Sequence, residues 1–245
     1  MSLAAHSVVV ALDCPDSASA QRLVEQLDPS LCALKVGKEL FISEGPRWLE
    51  GLIQKGYQVF LDLKLHDIPN TVAMGCLSAA RLGVWMMTLH ASGGRAMMEA
   101  ARETLEKEGD AAPILVAVTV LTSLSDHDFK DIGWTGSAQS QVQRLAQLAY
   151  RSGMDGVVCS AHEIRTVKQE LGQKFLCVTP GIRPAGSNAY DQQRVMTPGD
   201  AILAGGDHLV IGRPITLAPD PLKALLAIRA EMEQAQQSKM IGMTI

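Results

Sequence analysis

The sequence predicts a closed (β/α)8 TIM barrel occupying a single domain, residues 1–245. Three observations carry this: eight apolar runs recur at intervals of about 25 residues, capped helix-like stretches separate them, and the length matches one complete barrel with its ring of helices. The runs are VVVALD (8–13), CALKVG (32–37), QVFLDLKL (58–65), VWMMTLH (84–90), ILVAVTVL (114–121), GVVCS (156–160), FLCVTPGI (175–182) and HLVIGRPI (208–215). Between them lie stretches such as SASAQRLVEQL, NTVAMGCLSAARLG, SAQSQVQRLAQLAYRSG and TPGDAILAGG, several opening on Ser, Thr or Asn and closing on Gly as capped helices do. Strands that alternate with helices pair in parallel. An open doubly wound sheet is the alternative, but the G-x-G-x-x-G turn usual in nucleotide-binding sheets is missing.

Composition narrows the function classes. Apolar residues make up 47% of the chain, yet no uncharged stretch reaches the ~18 residues that a membrane span needs. Net charge is −4 without a basic run, so neither nucleic acid nor a membrane surface is an expected partner. A small anion would have to be held locally. Cys14, Cys32, Cys76, Cys159 and Cys177 are scattered and form no C-x-x-C pair, which reads as reduced core thiols in the cytoplasm. The opening MSLAAHSVVVALD lacks the pattern of an export signal.

Barrel strands bury both faces, so a charge in mid-strand needs a reason. In the third run, alternation puts Leu61, Leu63 and Leu65 on one face and Phe60, Asp62, Lys64 and His66 on the other. With the leucines packed on helices, Asp62 and Lys64 point inward. The same parity sends Val8, Val10 and Leu12 outward with Asp13 inward, and Leu34 and Val36 outward with Lys35 inward. Asp13, Lys35, Asp62 and Lys64 thus converge at the carboxyl ends of three neighbouring strands, where barrel active sites are built, with Asp67 just beyond. A structural ion-pair network is the bland alternative, but buried pairs stabilise little for their desolvation cost.

A second cluster lies in the last two units. Arg183 opens a polar loop that ends near Gln192, and Gly212 and Arg213 stand at the tip of the eighth run. Barrels often bind phosphate in the loops after strands seven and eight. Arg213 would add a fixed bidentate charge. Read as turn chemistry, the glycines alone imply nothing.

The segment FLDLKLHDIPNT (60–71) resembles the signature of the orotidine 5′-phosphate decarboxylases, the D-x-K-x-x-D core being Asp62, Lys64 and Asp67. ALD, LKVG, TVLTS, TPGIRP and the terminal IGRPI extend the resemblance over nearly the whole chain, closest to the bacterial form. It implies conversion of orotidine 5′-monophosphate to UMP without metal or organic cofactor. Lys64 is then the catalytic lysine, flanked by Asp62 and by Asp67, the latter reaching in from the partner subunit of a homodimer. Lys35 and Asp13 would bind ribose hydroxyls and complete the charge network. Thr122 would contact the pyrimidine, Arg183, Gln192, Gly212 and Arg213 the phosphate, and Thr71 closes the motif. The polar stretch 123–137 and the 183–192 loop are candidate lids.

Competing readings are weaker. His66, His90, His127, His162 and His208 show no compact metal-ligand spacing, and Lys64 would put a cation where a metal would sit. Gly93-Gly94 reads as a strand-to-helix turn, and Met86-Met87 and Met97-Met98 as packing. Related ketogulonate-phosphate decarboxylases and hexulose-phosphate synthases share a D-x-K-x-x-D strand but require Mg2+; HDIPNT and GRPI favour the pyrimidine enzyme. A silent nucleotide-sensing barrel is the non-enzymatic alternative, opposed by the complete charge set.

Overall fold

The computed structural model describes residues 3–124, 126–185 and 196–242. Eight parallel strands close into a barrel in chain order: β1 (Val8–Ala11), β2 (Ala33–Gly37), β3 (Val59–Leu65), β4 (Met86–His90), β5 (Ile114–Val118), β6 (Gly156–Val158), β7 (Leu176–Thr179) and β8 (His208–Ile211), which pairs back onto β1. The helices are α1 (Ser17–Val24), α2 (Lys38–Gln54), α3 (Pro69–Arg81), α4 (Arg95–Glu106), α5 (Asp126–Asp131), α6 (Ala138–Arg151), α7 (Ile164–Leu171), α8 (Pro198–Ala204), α9 (Arg213–Thr216) and α10 (Pro221–Gly242).

Two of the expected caps, Ser137 and Thr197, are present, whereas α1 is capped by Asp16 rather than Ser17, and α3 starts after Ile68 with Pro69 in its first turn and no side-chain cap, Asn70 lying inside the helix. Asp16, Ser137 and Thr197 side chains accept backbone N–H groups at the starts of α1, α6 and α8, and Gly205 ends α8 in the left-handed conformation. The expected strands mostly run past the last ladder pair. Val120, Cys159 and Ile182 are buried beyond the strand ends, where the chain has already turned into a loop, and Ile215 is buried in α9. The 123–137 stretch holds α5, whose Phe129 is buried and packs edge-on against Trp134 at 5.4 Å.

The core divides as strand parity requires. Val8, Val10, Leu12, Leu34, Val36 and Leu61 belong to the shell between barrel and helices. Val9, Ala11, Ala33, Phe60, Met86, Val116, Val178 and Val210 fill the interior. Inward neighbours farther along the same strands must therefore emerge at the mouth. Four cysteines are buried, Cys14 is partly so, and all five are free thiols.

Alternation does not run unbroken through β3. Leu61 pairs with Met87 but Leu65 with Leu89, a bulge in which Lys64 takes φ 53°. Leu63 and Leu65 still pack outward on the helix shell. At the far end Arg229 of α10 donates to the carbonyls of Leu3, Ala4 and Leu31, tying the first described residues to the last helix.

Close approach of β6 and β7 depends on a missing side chain. Gly156 lies opposite Leu176, and a Cβ built on it would collide with the Leu176 carbonyl. Gly156→Ala is expected to lower unfolding free energy by about 1–3 kcal/mol in urea titration. Gly51→Ala on α2, where nothing lies within 4 Å, is the control and is expected to be neutral or up to about 1 kcal/mol stabilising.

Candidate active site

Three adjoining cavities open at the carboxyl-terminal mouth, and Lys35 lines all of them. It stands on β2 with its ammonium 3.0 Å from Asp13 Oδ1 and 3.7 Å from Asp62 Oδ2. Lys64 Nζ lies 2.7 Å from the same Asp62 oxygen. The order Asp13–Lys35–Asp62–Lys64 is a row of alternating charge in which Lys35 and Asp62 each touch two counterions. Lys64 touches one, and its other side faces the cleft.

Burial decides what such a row does. The Lys35 and Asp62 side chains retain only 11% and 12% exposure. Desolvation alone would push the Asp62 carboxyl up, but Lys35, then Lys64, then hydrogen bonds from Lys64 and Thr88 outweigh it and hold the group below the usual carboxylate range. Asp62 is therefore ionised at neutral pH. His90, at the end of β4, is pushed down to about 4 by burial and by His66, Lys38 and Lys64, so it is neutral there.

The first mouth cavity, about 180 Å3, is bounded by Lys35, Asp62, Lys64 and Thr122 with apolar walls from Phe60, Val118, Val158 and Val210. The second, about 470 Å3, brings Asp13 and Lys35 together with Arg183, Gly212 and Arg213. The two expected clusters thus share one cleft, charge row on one side and arginines on the other. Arg183 also bonds its own loop, NH1 to the Ile182 carbonyl at 2.8 Å.

Two predicted residues stand apart from the row. Asp67 is exposed, with Oδ1 accepting the Ile68 N–H, and forms no ion pair among the described residues. Thr71 is exposed in the first turn of α3. Gln192 lies outside the described residues. Sequence reasoning missed Thr88, whose buried hydroxyl bonds both the Lys64 N–H and Asp62 Oδ1. Its signal was a lone hydroxyl at inward parity in an apolar run.

A larger cavity, about 610 Å3, opens at the opposite end, lined by His6, Trp85, His208, Lys168 and Asp207. Lys168 there donates to the Gln173 and Phe175 carbonyls and to Asp207, which engages all three of its protons. That arrangement is structural. Among the described residues no group of three or more His, Cys, Asp or Glu is placed to hold a metal ion, and no helix is long and apolar enough to cross a membrane.

A depressed carboxyl pKa contributes stability that is present above the unfolded value, 3.8 for Asp, and is lost as pH falls through the folded value. At neutral pH Asp62→Asn leaves two ammonium groups without their shared counterion and is expected to cost about 3–5 kcal/mol. The gap between wild type and Asp62→Asn in urea midpoint is expected to narrow on acidification from about pH 7 to about pH 3. A constant gap across that range would mean that Asp62 is not held ionised by its neighbours.

Comparison with known proteins agrees with this geometry. Residues 6–228 match the family model described as orotidine 5′-phosphate decarboxylase / HUMPS family. The orotidine 5′-phosphate decarboxylase of Shewanella sediminis is 56% identical over 225 residues, 92% of this chain and 96% of its own. That of Saccharophagus degradans is 56% identical over 235 residues, 96% of this chain and 98% of its own. The crystal structure of orotidine 5′-phosphate decarboxylase from Lactobacillus acidophilus superposes with a TM-score of 0.84 at 41% identity, covering 93% of this chain and 99% of that one. With 223 consecutive positions matched by the family model and the barrel shared, the chain belongs to the orotidine 5′-phosphate decarboxylase / HUMPS family.

Proposed function

We infer that the protein decarboxylates orotidine 5′-monophosphate to UMP in pyrimidine biosynthesis. The observation that carries this is the Lys35–Asp62–Lys64 row at the mouth of a barrel more than half identical to decarboxylases of that name. The same identity favours the pyrimidine nucleotide over the sugar phosphates of the metal-dependent barrels.

The chemistry asks for a fixed cation. Loss of CO2 from C6 leaves an electron pair in the ring plane, where the π system cannot delocalise it. An ammonium about 4 Å away stabilises that charge by on the order of 4 kcal/mol at an effective dielectric of about 20. Lys64 then transfers a proton to C6 and the product is UMP. Asp62 keeps Lys64 charged and aimed, Lys35 and Asp13 meet the ribose, Thr122 meets the base, and Arg213 with Arg183, Gly212 and Gln192 holds the phosphate. Neither metal nor organic cofactor takes part. Wild-type turnover is expected to be unchanged by EDTA, followed as loss of ultraviolet absorbance; chelation that stops it would favour the Mg2+-dependent alternative.

The same proposal makes the enzyme a cytoplasmic homodimer in which Asp67 completes the partner's site, with Thr71 binding substrate. The Lys64 side chain is 28% exposed, and beside the exposed Asp67 the apolar Ile68 is 66% exposed, with Met74 exposed on α3. Such surface is suited to a two-fold contact.

Lys64→Ala is expected to abolish turnover with the circular dichroism spectrum unchanged; substantial residual activity would defeat the assignment. Arg213→Ala is expected to cost about 2–4 kcal/mol in kcat/KM for the nucleotide, while orotidine itself is barely affected. Equal loss for both substrates would place Arg213 away from the phosphate. Lys64→Ala and Asp67→Ala homodimers are each expected to be inactive, but mixing equal amounts makes about half the dimers mixed, each with one intact site, and recovers roughly a quarter of wild-type activity. A mixture that stays inactive after verified subunit exchange would assign Asp67 to its own chain.

A further inference from the structure

Between matched positions, β3 takes four steps where β4 takes two: Leu61 lies opposite Met87, and Leu65 opposite Leu89. Extra residues in a ladder lose their strand partners and redirect side chains. Lys64 lies within this bulge at φ 53°, and it is the one non-glycine residue with positive φ among the described residues. Such a conformation persists only where its surroundings over-determine it.

Thr88 supplies that determination. The Lys64 N–H donates to Thr88 Oγ1 at 2.9 Å, and the Thr88 hydroxyl donates to Asp62 Oδ1 at 2.9 Å. Lys64 Nζ donates to the other oxygen, Oδ2, at 2.7 Å. Backbone and side chain of Lys64 are thus joined through one hydroxyl and one carboxylate into a closed ring. Thr88 is fully buried between the inward-facing Met86 and His90, with Phe60, Met86 and Val116 forming the apolar interior below it. Packing alone would be served by valine, which has the same shape and no polar atom to satisfy.

We propose that Thr88 is a positioning residue whose hydroxyl locks the β3 bulge and thereby holds the Lys64 ammonium and the Asp62 carboxylate in one geometry at the cleft. Its kinetic consequence rests on the decarboxylase reading; its structural consequence does not. Asp62 faces Lys35 from β2 and Lys64 from its own strand, with Asp13 beyond Lys35, and His90 from β4 with Lys38 beside that histidine. Removing one donor while these charges stay makes the carboxylate easier to protonate. The acidic limb of the kcat profile then moves to higher pH.

The test compares Thr88→Val with Thr88→Ser in the full-length protein on orotidine 5′-monophosphate. Thr88→Val is expected to lose about tenfold or more in kcat with KM changed by less than about threefold, and its acidic limb is expected to rise. Thr88→Ser keeps the hydroxyl, and is expected to recover kcat to within about threefold of wild type and the wild-type limb. A valine variant with normal kcat and profile overturns the proposal, and so does a serine variant as impaired as valine, since methyl packing would then be the cause. If Thr88→Val does not fold, Thr88→Ala against Thr88→Ser poses the same question, because the two differ by a single hydroxyl. Absence of wild-type turnover would defeat the decarboxylase reading instead. In that event carbon-13 NMR titration of the Asp62 carboxyl still decides: an upward shift in the alanine variant alone supports the role of Thr88, and equal shifts overturn it.

Discussion

Two ammonium groups crowded at one mouth of a barrel repel each other unless a carboxylate is fixed between them. Asp62 fills that place, with Lys64 at 2.7 Å and Lys35 at 3.7 Å from the same oxygen. At 2.7 Å and an effective dielectric of about 20, one such attraction amounts to roughly 6 kcal/mol before desolvation is subtracted. Burying each ion costs several kcal/mol, so gain and cost nearly cancel. The row contributes little net stability, and what it provides is position: charges that do not have to reorganise when a substrate arrives.

Holding those positions is the task of the rest of the barrel. Outward leucines and valines on β1, β2 and β3 pack on the helix shell, which fixes the direction of the inward residues between them. Phe60 and Met86 plug the interior, so the charge row rests on a packed floor. At the amino-terminal end, aspartates play a different part. Asp155 accepts the Leu115 N–H and pairs with Arg102, and Asp207 accepts the Cys177 N–H and pairs with Lys168. Each ties the start of one strand to its neighbour. Charge at one end of the barrel holds backbone together; at the other it is left facing a cleft, the usual division between stability and chemistry in this fold.

The cleft has one rigid side and one assembled from loops. Lys35, Asp62, Lys64 and Thr88 all stand on strands and bond one another. Arg183 lies after β7 in a segment bridged to Met196, and Arg213 opens the four-residue α9.

Eight strands, their parity and the convergence of Asp13, Lys35, Asp62 and Lys64 were legible in the sequence, because side-chain alternation is a local property of the chain. So were the caps at Ser137 and Thr197, which bond backbone groups within three residues, but not those of α1 and α3, where the expected Ser17 and Asn70 lie inside the helices. The strand ends were not, because residues such as Val120 and Ile182 are apolar for burial under loops rather than for a ladder. The bulge in β3 and the hydroxyl that satisfies it were equally hidden: four steps against two appear only when β4 lies alongside. Sequence alone determined which residues carry charge and which face each turns to. Tertiary structure decided which oxygen meets which nitrogen, and that Lys64 abandons the regular strand conformation, because both depend on strands 24 and 26 residues apart being brought within hydrogen-bond reach.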